Sequence, residues 1–315
     1  MRKIAIGIAA AALMATSAFA ATPKKKLPPP PAPAPVYSWT GFYVGGNVGY
    51  GWGNTRTDIA GSASTIAIPG YFGGFPGNNV AFADSNTARL NGVIGGGQIG
   101  YNYQFNPRWL SGFEADIQGS GERGSNAFAD PFSTTVCVSA FLGPTCSGTG
   151  PLNATATTTY EAKIDWFGTV RARLGYLITD QVLIYGTGGL AYGRVELSGA
   201  TNVSGSVNAG GIAGVVALTP GANAFSESKT NFGWTAGAGI EGRLKYWLPA
   251  GWTWKLEYLY VDLGSVDTVA PFPGGASPSP LVAGGFFTSP FTGAITTHIH
   301  FADNIVRVGL NYQFH

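Results

Sequence analysis

The stretch that most limits what this chain can fold into is its end, Asn304-Ile-Val-Arg-Val-Gly-Leu-Asn-Tyr-Gln-Phe314, followed by His315. Counting in twos puts Val306, Val308, Leu310, Tyr312 and Phe314 on one face and Arg307, Gly309, Asn311 and Gln313 on the other, the period of a β-strand. A soluble sheet would alternate in much the same way. The class is decided by recurrence of the pattern along the chain, with aromatics at the ends of the apolar face. In a transmembrane barrel that face meets lipid, the polar face points into the lumen, and the aromatics lie at the headgroup levels.

Seven further segments carry the same signature. Phe42, Val44, Val48, Tyr50 and Trp52 oppose Gly45, Asn47, Gly49 and Gly51 in the first, and Val93, Ile99, Tyr101, Tyr103 and Phe105 oppose Gln98, Asn102 and Gln104 in the second. The third sets Trp109, Phe113, Ala115 and Ile117 against Glu114, Asp116 and Gln118; the fourth sets Trp166, Val170, Ala172, Leu174 and Tyr176 against Asp165, Thr169, Arg171 and Arg173. Val182, Ile184, Leu190 and Tyr192 share a face in the fifth, and in the sixth Phe232, Trp234, Ala236, Ala238, Ile240, Leu244 and Tyr246 alternate with Thr235, Glu241, Arg243 and Lys245. The seventh opposes Trp252, Trp254, Leu256, Tyr258 and Tyr260 to Thr253, Lys255 and Glu257.

The connections then alternate in length: long at 54–90, 121–160, 197–229 and 265–302, short at 106–107, 178–181 and 247–251. Even-stranded outer-membrane barrels have short periplasmic turns and long extracellular loops. The sequence therefore predicts an all-β fold, an eight-stranded antiparallel transmembrane β-barrel with both termini in the periplasm. A soluble sandwich is disfavoured, because loops beyond ~12 to 15 residues are uncommon inside compact domains.

Composition supports that class. Charged residues are 11% of the chain and Gly numbers 48, against about 25% charge in an ordinary globular domain. A lipid-facing surface accounts for the deficit. Arg2 and Lys3 precede an apolar run from Ile4 to Met14, and Ala18-Phe19-Ala20 supplies small residues two apart, which reads as a secretory signal peptide over 1–20. The run is shorter than the ~20 residues of a spanning helix. Without Arg2 and Lys3 the 18 Lys and Arg fall to 16, equal to the 16 Asp and Glu, so no basic patch points to nucleic acid. Residues 21–36, with Lys24 to Lys26 and Pro28 to Pro31, form a polyproline-prone arm ahead of a barrel over 37–315. The arm reads as a solvated spacer, and contact with peptidoglycan is its functional alternative.

The run Tyr37-Ser-Trp-Thr-Gly-Phe-Tyr-Val-Gly-Gly-Asn-Val-Gly-Tyr-Gly-Trp52 after the arm, paired with Val306–Phe314 at the end, resembles alphaproteobacterial outer-membrane proteins of the Omp25/Omp31 type. Asp165–Tyr176 and Leu183–Tyr192 fit that family as well. The resemblance implies a small porin-family barrel, similar in architecture to the OmpA membrane domain. It also implies contact with outer-membrane lipid and lipopolysaccharide, and recognition of the C-terminal strand by the barrel assembly machinery. His315 is a departure, since such barrels usually end on the aromatic residue.

The inward set comprises Glu114, Asp116, Arg171, Arg173, Glu241, Arg243, Lys255, Glu257 and Arg307, nearly balanced in sign. An eight-stranded barrel is just wide enough to be filled by side chains, so these are expected to pair into a plug rather than line a conduit. Cys137 and Cys146, both in the second long connection of an exported chain, are expected to form a disulfide. His298 and His300 are two apart and point the same way, a weak candidate ligand pair for a metal or haem iron; the resemblance, through family members linked to haem, adds interest without a transferable ligand motif. Gly237-Ala-Gly-Ile-Glu-Gly242 matches G-x-G-x-x-G but lies inside a strand with no helix after it, so no dinucleotide or other cofactor is expected. No spacing singles out a nucleophile and base. The expectation is a non-enzymatic structural barrel that supports the envelope and displays loops, with a small diffusion pore or a surface ligand-binding protein as the alternative.

Overall fold

The computed structural model describes residues 38–65, 79–138, 148–208, 215–217, 221–244, 249–271 and 291–314. The signal-peptide and arm readings, the Cys146 half of the expected disulfide, and His315 lie outside them. The strands are β1 (Gly41–Thr65), β2 (Asn79–Gln104), β3 (Trp109–Val138), β4 (Gly148–Thr179), β5 (Val182–Asn208), β6 (Val215–Ala217), β7 (Gly221–Arg243), β8 (Trp252–Pro271) and β9 (Phe291–Gln313). Eight of them follow the order β4-β3-β2-β1-β9-β8-β7-β5, and β4 pairs with β5 to close the ring. Every ladder is antiparallel; β6 is a short addition on the end of β5. Among the described residues no helix is present.

The lipid-facing band is legible from exposure. Phe42, Val48, Val93, Phe113, Leu174, Leu190, Phe232 and Val308 all stand outward, although each is large and apolar. Two girdles of paired aromatics border the band: Trp109 with Tyr176 and Trp252 with Tyr312 at the periplasmic side, their ring centroids 5.1 and 5.4 Å apart, and Trp166 with Tyr192 and Trp234 with Tyr260 at the outer side, 6.1 and 5.2 Å apart. A cation placed mid-band has no water to reach. Val308→Arg, on β9 between Val48 and Leu256, is expected to destabilise the barrel by about 2 to 4 kcal/mol, read as a lowered urea midpoint in lipid vesicles.

The strands run much further outward than the alternation suggested. The eight strands of the ring are 20 to 32 residues long, where ~9 to 11 cross a bilayer, so half or more of each stretch read as an extracellular loop is strand. The physical reason is a reversal of polarity at the outer girdle. Through Trp52 the apolar residues of β1 face out; beyond it Thr55, Thr57 and Ile59 are buried inside while Asn54 and Arg56 face water. On β9 the same change separates lipid-facing Val306 and Val308 from inward Ile295, Ile299, Phe301 and Ile305.

Two ladders also end at this level. Pairing of β2 with β3 runs from Gln104–Leu110 to Asn91–Arg123, and pairing of β7 with β8 from Arg243–Thr253 to Trp234–Asp262. Further out, β8-β9-β1-β2 and β3-β4-β5-β7 continue as two four-stranded sheets. Between them lies an apolar core that includes Ile59, Leu90, Phe128, Tyr160, Leu197, Val266, Ile299 and Phe301. Asparagine side chains tie the unpaired edges: Asn126 Nδ2 donates to the Thr87 carbonyl at 3.2 Å, Asn231 Nδ2 to Ser265 O at 3.0 Å and Asn223 Nδ2 to Pro271 O at 2.7 Å.

Candidate functional site: the barrel lumen

Strand alternation delivers one polar side chain to the interior at every second residue, and register decides which of them meet. Glu114 on β3 faces Arg171 on β4, and Glu257 on β8 faces Arg307 on β9, as cross-strand partners. From these two pairs a single network grows across the lumen. Arg171 binds Glu114 through Nη2, reaches Asp116 Oδ2 at 3.0 Å and donates through Nη1 to Glu257 Oε1 at 3.1 Å. Arg307 donates through Nε to Glu257 Oε2 at 2.7 Å and through Nη2 to Asp116 Oδ2 at 2.8 Å. Lys255 Nζ bonds both Glu114 oxygens, at 2.9 and 3.1 Å.

A second cluster lies nearer the periplasm. Arg173 Nη2 donates to Glu241 Oε2 at 2.8 Å, and Glu241 Oε1 takes the Thr253 hydroxyl at 2.6 Å and Asn311 Nδ2 at 3.0 Å. Tyr43 joins the two clusters: its hydroxyl accepts from Arg173 Nη1 at 2.9 Å and donates to Glu114 Oε2 at 2.7 Å. The Arg173 guanidinium also stands 4.0 Å from the centre of the Tyr185 ring, whose hydroxyl donates to Glu257 Oε1 at 2.9 Å.

Glu114, Asp116, Arg171, Arg173, Glu241, Lys255, Glu257 and Arg307 are thus brought together and buried, four cations with four anions. Arg243 lies half-buried where β7 ends, at the periplasmic rim. Tyr43 and Tyr185 were absent from the faces read as inward, whereas Thr253, Asn311 and Gln98 had been placed on them. Tyr43 falls on the Gly45 and Asn47 face of the first strand, so its phase already marked it as inward. Gly100 makes room for it, since a Cβ there would overlap the Tyr43 ring.

Apolar side chains also enter the lumen above and below the charges, beside buried polar ones such as Asn102 and Gln118. At the periplasmic mouth Trp39, Leu110, Leu177 and Leu183 are buried, and Trp39 Nε1 donates to the Asp180 carbonyl at 3.3 Å. At the outer end the network gives way to Ile94, Phe167, Leu259 and Ile305, and then to the core between the two sheets.

His298 and His300 lie on the outer face of β9, beyond the membrane. Each ring has its own partners: His298 Nδ1 meets Asp267 Oδ1 at 2.5 Å, while His300 Nδ1 meets Ser265 Oγ at 3.1 Å and its Nε2 lies 3.4 Å from Asp262 Oδ2. Among the described residues no group of three or more His, Cys, Asp or Glu side chains gathers into a metal-binding cluster. Cys137 lies on β3.

Comparison with known proteins accords with this architecture. Residues 6–314 match the family described as outer membrane protein beta-barrel domain. The chain is 35% identical over 306 residues to the 31 kDa outer-membrane immunogenic protein of Brucella melitensis, covering 96% of each. It is 26% identical over 268 residues to the 25 kDa outer-membrane immunogenic protein of Brucella abortus, covering 84% of this chain and 86% of that one. A solved structure of Ail from Yersinia pestis aligns over 85% of this chain and 99% of the other at 14% identity, with a TM-score of 0.25. A β-ring with a lipid-facing apolar band and near full-length similarity to named outer-membrane proteins leads to one assignment: the chain belongs to the outer membrane protein beta-barrel domain family, as a Gram-negative outer-membrane protein of the Omp25/Omp31 type.

Proposed function

We propose that this barrel is a structural, non-enzymatic component of the outer membrane whose lumen is a plug, and whose extended outer sheets are displayed at the cell surface. The observation that carries the reading is the filling of the lumen at three levels: Trp39 and its leucine neighbours at the periplasmic mouth, the paired charges in the middle, and the apolar core outside. A conducting eight-stranded barrel would need a continuous wet path, and each of these layers interrupts one. The buried ion pairs tie β3, β4, β8 and β9 across the ring and so specify register. Surface display accords with the Brucella relatives, which are named immunogenic. Lipid and lipopolysaccharide would cover the apolar band, and the assembly machinery would read the Val306–Phe314 strand.

Planar-bilayer recording of the purified, folded chain tests the plug. The expected trace shows no reproducible openings at neutral pH, and Trp39→Ala leaves it silent because two further layers remain. Reproducible openings of the wild type that disappear on altering Arg171 would overturn the reading in favour of a pore.

A further inference from the structure

Two acidic side chains that the lumen network does not use meet just beyond the outer girdle. Glu122 follows the register shift between Gly119 and Glu122 on β3, and Asp303 on β9 lies opposite Gly53 and Val261. They are 0% and 3% exposed. Both carboxyls converge on Gly51: a Cβ there would overlap Glu122 Oε1 and stand 2.6 Å from Asp303 Oδ2. Glu122 Oε2 takes the Ser120 hydroxyl at 2.9 Å. Glu122 Oε1 and both Asp303 oxygens are enclosed with no hydrogen-bond partner of ordinary geometry; the Asn304 N–H and the Glu122 carboxyl are the groups that act on Asp303.

Among the described residues no cation faces them. At this level β1, β2, β4, β5, β7 and β8 contribute Thr55, Leu90, Ile164, Val195, Asn231 and Val261, none of which titrates. In the charged network below, Arg307 is already bonded to Asp116 and Glu257. Two ionised carboxylates in contact inside an apolar enclosure would repel each other with neither water nor a counter-ion to compensate. A proton held between them removes half of the charge and turns repulsion into a hydrogen bond.

We propose that Glu122 and Asp303 share one proton, and that this hydrogen-bonded acid pair locks β3 to β9 across Gly51, where the charged lumen meets the apolar outer core. Burial, reinforced by the adjacent Glu122 carboxyl, pushes Asp303 up to about 10, and burial raises Glu122 as well. The folded barrel then binds the proton more tightly than the unfolded chain. The pair's contribution is whole below the ordinary carboxyl range and is lost progressively as pH rises toward 10.

The full chain folded in detergent micelles, with its thermal midpoint followed by heat-modifiable gel migration from pH 5 to pH 10, tests the lock. The wild-type midpoint is expected to fall toward alkaline pH. Asp303→Asn and Glu122→Gln should flatten that slope, and Asp303→Asn should exceed the wild type at the alkaline end. Infrared spectra at neutral pH should show a protonated-carboxyl stretch in the wild type that Asp303→Asn removes; this readout on the wild type stands even if a variant folds poorly. A wild type without that band, or an unchanged slope in Asp303→Asn, would overturn the proposal. So would a midpoint raised by added calcium in the wild type alone, which would assign the two carboxyls to a metal ion.

Discussion

Glu114→Ala is expected to cost the folded barrel about 3 to 5 kcal/mol, the range for stranding a buried charge. Glu114 is the anion shared by most of the lumen: Lys255, Arg171 and Tyr43 bond it directly, and Arg307 Nη2 lies 3.5 Å away. Removing its carboxylate leaves four buried cations facing three anions, and Lys255 keeps only a 3.6 Å approach to Glu257. The desolvation of Lys255 has then lost most of what offset it. Urea titration of tryptophan fluorescence in lipid vesicles measures the loss. The double variant Glu114→Ala, Lys255→Met should recover part of it, because it withdraws the stranded charge as well; additive losses would show that the two residues do not act as a pair.

Phe301→Ala should be comparably severe, about 3 to 5 kcal/mol, yet differently distributed. Phe301 is 1% exposed and packs in the core between the outer sheets. Around it the β2–β3 and β7–β8 ladders have already stopped, so side-chain packing and a few asparagine bonds hold the two halves together. A cavity there should loosen the outer sheets while the membrane segment keeps its closed ring. Protease added outside intact vesicles should cleave the variant faster within the outer sheets, with heat-modifiable migration retained. Equal protection of both proteins would mean that the outer sheets do not depend on this core.

The acid pair and the outer core also show where sequence reasoning lost the thread. Asp303 fell just ahead of the segment read from Asn304, and Glu122 in the stretch 121–160 read as a long connection, past the register shift that interrupts β3. Asp165 shows the converse. Counted in twos it belongs inside with Thr169 and Arg171, but the shift between Ile164 and Trp166 turns it outward, where it meets Lys163 at 2.6 Å. A period-two argument holds only while the ladder is regular, and each bulge resets its phase.

What the residue order alone determined was the membrane segment: eight strands, their lipid-facing sides, the short turns between them, and most of the charges that meet inside. These follow because lipid imposes one uniform demand on every strand, so the alternation repeats and can be counted. The partners within the lumen, the length of the strands and the core beyond the membrane were decided by tertiary structure. Pairing depends on register across strands far apart in sequence, as Glu114 with Arg171 and Asp303 with Glu122 show. Outside the bilayer the inward face becomes the apolar one, so the cue that identifies a strand within lipid changes sign where water begins.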